Sequence, residues 1–376
     1  MVMYCFPAVS NSPNRDSLFA VADQSYGGFL AGKWLAICGA LGFVRSDAQP
    51  PLDILLRLID SWGDRRIGAH NGYRSFVSGD GFPAEFSVSW RLGRPEVRIL
   101  FESLGDGPTA RSCQDAGRAL TRELAAEPGV SIKRYLAVED LFLAAEPAPY
   151  RPTIWHSLAW RPGEKPRYKV YLNPQVCGID RAADLVTEAM RRLGLEMPWR
   201  TVLAEHVALI ERGHRLEFFA LDLDAEEPSR VKIYYRHPEV DLAELDRVAA
   251  LACRHDSARA RAAYRAVYGT NGAIGNEPMT CLSFQRGAGS PVEANVYLRL
   301  TEAARSDAEA ADRVRAVLAA EGIDPHRHTA MLHALAPAPL AETAGLQELL
   351  SYRTTGPGGP ADVAVYFRFS VHGPRS

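Results

Sequence analysis

The feature that most restricts how this chain can fold is a strand pair repeated along it. Five times, two runs of alternating or aromatic-rich residues flank a Gly, Pro or charged turn, the pattern of a β-hairpin. The pairs are 85–90 with 97–102, 153–160 with 168–173, 215–223 with 230–236, 280–285 with 294–300, and 349–353 with 363–369. The central residues of the second strands, Leu100, Tyr171, Tyr234, Tyr297 and Tyr366, lie 71, 63, 63 and 69 positions apart. Such regularity predicts one supersecondary unit used five times. Between the hairpins, stretches such as CQDAGRALTRELAAEPG and SDAEAADRVRAVLAAEG carry apolar residues at three- and four-residue intervals, as amphipathic helices do. Pro198 and Pro325 sit where helices begin, the latter after Asp324 as N-cap. Ten antiparallel strands with helices outside lose their exposed edges only if the sheet closes. The expected fold is therefore α+β: a closed ten-stranded antiparallel barrel ringed by helices and built from repeated ααββ-type units. A length of 376 residues would otherwise suggest two or three domains of roughly 150 residues. The repeat favours a single domain, with a helical segment at 1–80 and the five hairpins over 81–376.

Composition narrows the function. The 43 Lys and Arg against 45 Asp and Glu exclude a globally basic nucleic-acid binder, and the basic run 254–265 reads as a solvated helix face. Six scattered cysteines without a C-x-x-C pair fit reduced thiols in a cytoplasmic enzyme better than a disulfide framework or zinc ribbon. The N-terminus shows no basic-then-apolar leader. The most apolar stretch, 27–44, holds Lys33 and several glycines, which suits a buried helix and not a bilayer span. His326, His328 and His333 cluster without Cys or Glu partners, so no metal site is expected there. The 271–275 loop lacks the third glycine of a dinucleotide fingerprint. Asp222 and Asp224 alternate on a strand, unlike the D-D-x-x-D clusters that bind metal-diphosphate.

Strand alternation sorts the hairpin residues onto two faces. Phe86, Val88 and Trp90 share one that suits packing against helices, and Glu85, Ser87 and Ser89 share the other. A turn centred on 93–94 would place Ser89 opposite Arg98, with Glu85 and Arg98 on one side. The matching faces of the later second strands carry Lys169 with Tyr171, Arg230 and Lys232 with Tyr234, Asn295 with Tyr297, and Tyr366. Clustered guanidinium and ammonium groups suit a polyanion. Tyrosine rings suit a passing carbocation. A diphosphate beside aromatic walls is what allylic-cation chemistry requires. On this reading cations gather inside the barrel and carboxylates lie mostly outside.

The ordered series Lys169-x-Tyr171, Arg230-x-Lys232-x-Tyr234, Asn295-x-Tyr297 and Tyr366, with the P-x-E-F-S segment at 83–87, resembles the aromatic prenyltransferases of the dimethylallyltryptophan synthase type over roughly 80–370. The resemblance implies their PT-barrel (ABBA) fold and a bacterial-type member with trimmed loops. It also implies transfer of a dimethylallyl group from dimethylallyl diphosphate to the indole of L-tryptophan or a related indole. Glu85 would accept the indole N–H. Arg98, Lys169, Arg230, Lys232 and Asn295 would hold the diphosphate, Asn295 standing where many fungal relatives have Gln. Tyr171, Tyr234, Tyr297 and Tyr366 would shield the cation. No cofactor or Mg²⁺ would be required.

The base for the ring proton is less direct. With a turn near 162–165, His156 would oppose Tyr171 and point inward, with a suitable intrinsic pKa of about 6.5; a histidine packed in a strand is the alternative. Other acceptors (an indole cyclic dipeptide, tyrosine, a phenol) and a non-catalytic anion-binding barrel stay open, although an anion binder has no use for Glu85. The regiochemistry, at N1, C4, C5, C6 or C7, is not encoded in these motifs. A monomer or homodimer, with no nucleic-acid or membrane partner, is expected.

Overall fold

The computed structural model describes residues 21–69, 72–147, 153–225, 229–269 and 274–372. Cys5 and most of the 271–275 loop lie outside the described residues. All ten expected strands form, and each pairs antiparallel with its neighbours in the closed order β1-β10-β9-β8-β7-β6-β5-β4-β3-β2. Helices α1 (Tyr26–Ala40) and α2 (Arg45–Leu58) precede β1 (Ala84–Arg91) and β2 (Arg94–Glu102). Helix α3 (Ala110–Glu123) precedes β3 (Trp155–Trp160) and β4 (Arg167–Leu172). The pair α4 (Ala182–Arg192) and α5 (Glu196–Glu211) precedes β5 (Arg215–Asp222) and β6 (Val231–Arg236). The pair α6 (Leu242–Ala249) and α7 (Ser257–Tyr268) precedes β7 (Met279–Phe284) and β8 (Glu293–Arg299). The last pair, α8 (Asp307–Ala320) and α9 (His326–Leu335), leads into β9 (Gln347–Thr354) and β10 (Ala361–Phe367). Helices α1 and α2 are thus the helical half of the first unit, and α1 lies against α9, bringing first and last units together.

Side-chain caps start many of these helices. Thr109, Asp241, Asp256 and Ser306 each accept a backbone N–H of the first turn. For α9 the expectation needs correction by one residue. Pro325 occupies the N-cap position, and Asp324 Oδ1 accepts from His326 N at 2.9 Å.

The two faces of the barrel do different work. Outward-pointing Phe86, Val88, Trp90, Ile99, Val170 and Val365 are fully buried with helix residues such as Leu30, Trp34 and Leu55. Removal of this apolar surface from water favours wrapping the helices around the sheet. The first turn differs in register from the sequence expectation. Leu92 and Gly93, at φ 55° and 71°, form a two-residue hairpin loop whose twist matches the strands. Ser87, not Ser89, therefore faces Arg98. The shift is two residues, so the face is unchanged and Glu85 stays on Arg98's side.

Candidate active site

The lumen is layered. At the hairpin-turn end, Ser87, Arg98, Arg167, Lys169, Asp222, Arg230, Lys232, Asn295, Arg353, Asp362 and the tyrosines line one cavity. Arg98, Lys169, Arg230, Lys232 and Asn295 thus line one chamber. The carboxylates do not stay outside, contrary to the sequence expectation. Asp222 lies 2.8 Å from Arg230 and 3.7 Å from Lys169. Glu96 binds Arg161 at 2.9 Å, contacts Arg167, and sits 3.7 Å from Arg98. Glu293 lies 3.4 Å from Arg230 and also bonds Arg353, which meets Asp362 at 2.5 Å. The reason is energetic: a cluster of buried cations without counter-charges would be severely destabilised.

These neighbours set the charge states. Against the cost of burial, Lys169, Arg230 and Lys232 hold the Asp222 carboxyl well below its usual range. Burial first, and then neighbouring cations (Arg230 and Arg98 for Lys169, Lys169 and Arg230 for Lys232), pushes both lysine ammonium groups down, with Asp222 opposing. An arriving polyanion would relieve that strain, since it supplies the missing negative charge. Among the described residues, buried Arg98 Nε, Asp222 Oδ1 and Asn295 Oδ1 in this lining have no hydrogen-bond partner, the first two keeping only ion contacts at 3.7 Å with Glu96 and Lys169.

Next comes an aromatic arc. Ring centroids of Tyr171 and Tyr234 lie 6.0 Å apart, Tyr234 and Tyr297 5.9 Å, and Tyr297 and Tyr366 5.7 Å. The four sit at the same place in successive hairpins, so barrel closure makes one wall of them. Trp155 and Phe218 at 4.9 Å, with Val77, Met279 and Leu100, continue this wall as an apolar cluster away from the charges.

Glu85 lies past the arc. It is buried, and its charged neighbours are Glu348, Arg299 and Arg368, not the cation cluster. Burial, then Glu348, raises its carboxyl well above the usual range, with Arg299 and Arg368 opposing. Tyr366 spans the two ends, feeling Arg98 on one side and Glu85 on the other.

His156 does not join the site. Across the hairpin it pairs with Val170, while Trp155 pairs with Tyr171. That single step reverses the face. The imidazole points to the helix layer, where Nε2 lies 2.8 Å from Thr121 Oγ1 of α3 and the ring meets Phe101. Burial lowers its pKa to about 3. The expected inward base is corrected to a neutral outer-face histidine.

Sequence reasoning missed Glu96, Glu293, Arg353 and Asp362. Alternation could have found all four, since each shares parity with Arg98, Asn295, Ser351 or Tyr366. Asp222 was noticed but compared only with metal-binding acid motifs. Among the described residues no group of three or more His, Cys, Asp or Glu is placed to hold a metal ion, and no helix is long and apolar enough to cross a membrane.

Comparison with known proteins shows the family and the fold. The family model described as tryptophan dimethylallyltransferase matches residues 56–331. The chain is similar to the 6-dimethylallyltryptophan synthase from Micromonospora olivasterospora, solved in complex with DMASPP and Trp. The identity is 32%, the TM-score 0.85, and the match covers 93% of this chain and 98% of that one. It is also similar to the 5-dimethylallyltryptophan synthase from Streptomyces coelicolor, at 28% identity and TM-score 0.84, over 94% and 100% of the two chains. AnaPT from Neosartorya fischeri shares the fold at 18% identity and TM-score 0.77, over 95% of this chain and 94% of that one.

Proposed function

From the premise that this chain belongs to the tryptophan dimethylallyltransferase family, we propose that it joins the dimethylallyl group of dimethylallyl diphosphate to the indole ring of L-tryptophan. The observation that carries the reading is the order of layers: cations, then the tyrosine arc, then apolar walls with Glu85. Arg98, Lys169, Arg230, Lys232, Asn295 and Arg353 hold the diphosphate and stabilise it as it leaves. The C–O bond breaks with its electron pair on diphosphate, and Tyr171, Tyr234, Tyr297 and Tyr366 face the allylic cation. The indole lies against Trp155 and Phe218 with its N–H donated to Glu85, which stabilises positive charge as the ring attacks. A new C–C or C–N bond forms, and loss of the proton at the attacked position restores the aromatic ring.

Guanidinium and ammonium groups fill the charge-neutralising role that a metal has elsewhere, so the reaction runs without Mg²⁺. The thiols of Cys38, Cys113, Cys177, Cys253 and Cys281 are all free, which suits a cytoplasmic enzyme. The test is direct. Incubation with tryptophan, dimethylallyl diphosphate and excess EDTA should add the mass of one dimethylallyl group to tryptophan. No adduct with tryptophan or other indoles would sink the assignment.

A further inference from the structure

The end of the lumen that holds Glu85 contains a second buried carboxylate, and the strand pattern hides it. On β9, Leu349, Ser351 and Arg353 take the inward places, so regular alternation would send Glu348 outward. A β-bulge intervenes. Tyr366 pairs with Leu349 but Phe367 pairs with Gln347, leaving Glu348 as the extra residue. Gln347 takes the outward role, bonding His328 at 3.0 Å and the Asp307 carbonyl at 2.9 Å. Glu348 is re-aimed instead, as bulges near active sites often do. It is 5% exposed, and its Oε1 lies 3.5 Å from Arg299 Nη1. Its Oε2 is buried with no hydrogen-bond partner among the described residues.

The second cation is built in with equal care. Arg368 lies across the backbones of Gly79 and Gly345, where a Cβ would come within 2.9 Å and 2.4 Å of its guanidinium nitrogens. Glu348 Oε1 would stand 3.4 Å from a Cβ at the same Gly79. Those two glycines leave the room that brings Arg368 beside Glu348.

We infer that Glu348 is a positioning residue that controls the charge on Glu85, the two forming one carboxyl pair bracketed by Arg299 and Arg368. The inference rests on the proposed role of Glu85 as acceptor of the indole N–H. Phe86 pairs with Phe367, and Phe367 with Gln347, so Glu85 on β1, Arg368 after β10 and the bulged Glu348 on β9 stand at one end of three neighbouring strands. The groups that act on Glu85 are Glu348, Arg299 on β8, Arg368, and Tyr366 on β10. Burial and the like charge of Glu348 favour protonated Glu85, while the two guanidinium groups favour the carboxylate. Glu85 accepts the indole N–H as the carboxylate, so activity rises as pH passes through its elevated pKa. Glu348 fixes where that happens.

The experiment is the pH profile of kcat/KM for tryptophan at saturating dimethylallyl diphosphate. Glu348→Gln removes the like charge, so the acid limb should move to lower pH by about one unit or more. Glu348→Asp keeps the charge and should leave the limb near its original place. Arg368→Gln removes an opposing cation and should move the limb to higher pH, which keeps the question open to test if Glu348→Gln does not fold. An active enzyme whose limb stays put in Glu348→Gln, or stays put in Arg368→Gln, overturns the inference alone. So does an equal downward shift in Glu348→Gln and Glu348→Asp. An unaltered protein that makes no prenylated tryptophan overturns the functional reading, and this inference with it.

Discussion

The two ends of the lumen solve opposite electrostatic problems with the same strands. At the hairpin-turn end, cations face carboxylates: Arg230 and Lys169 on Asp222, Arg98, Arg161 and Arg167 on Glu96, and Arg353 on Glu293 and Asp362. At the other end two carboxylates, Glu85 and Glu348, share Arg299 and Arg368 among apolar walls. The first arrangement keeps a polycationic chamber folded before an anion arrives. The second makes the Glu85 carboxyl harder to ionise, with two guanidinium groups opposing burial and the like charge of Glu348. Tyrosines separate them. An ion pair formed by the reaction would thus have a stabilising environment at each end.

The largest expected effect tests whether the Glu85 end has a chemical role. Glu85→Gln keeps the shape but removes the negative charge, and kcat should fall about 10²-fold or more. Thermal stability should be kept or raised, because a carboxyl group whose burial resists ionisation is replaced by a neutral one. An unchanged kcat would break the comparison outright, leaving only the cationic end as functional.

The cationic end calls for a paired experiment, since binding and folding are tied together there. Arg230→Met should raise KM for dimethylallyl diphosphate about tenfold or more. It should also cost about 3–5 kcal/mol of stability, because Asp222 loses a buried partner. Adding Asp222→Asn should restore much of the melting temperature without restoring KM. If the double variant recovers both, the cations at this end are structural and the diphosphate site lies elsewhere.

That contrast between ends also marks what could be read from the sequence. The hairpins, their number, the barrel and the inward series Lys169, Tyr171, Arg230, Lys232, Tyr234, Asn295, Tyr297 and Tyr366 follow from strand periodicity and repeat spacing, which are local. What failed depended on register or on irregularity. His156 was misplaced because one residue of slip across β3 and β4 reverses a face. Glu348 was invisible because a bulge on β9 breaks the alternation. The inward carboxylates were passed over for a different reason: a net charge of -2 constrains only the total, and says nothing about pairing. Glu85 was assigned to the correct face, but its depth past the tyrosines depends on the shear of the closed barrel, which no single strand encodes.

The smallest expected effect sharpens the boundary between the ends. If the tyrosines act through their π-faces, Tyr297→Phe keeps the ring between Tyr234 and Tyr366 and should change kcat less than about threefold. Tyr297→Leu removes the quadrupole while keeping apolar bulk, and should slow turnover about two- to thirtyfold, the range of an aromatic–cation contact in a desolvated site. The comparison between the two variants matters more than either value. A hydroxyl role in holding diphosphate would make Phe as harmful as Leu and would raise KM for dimethylallyl diphosphate in both. Tyr297 would then belong to the cationic end. A loss confined to Leu and expressed in kcat leaves it where its ring contacts put it, facing the carbon skeleton and not the leaving group.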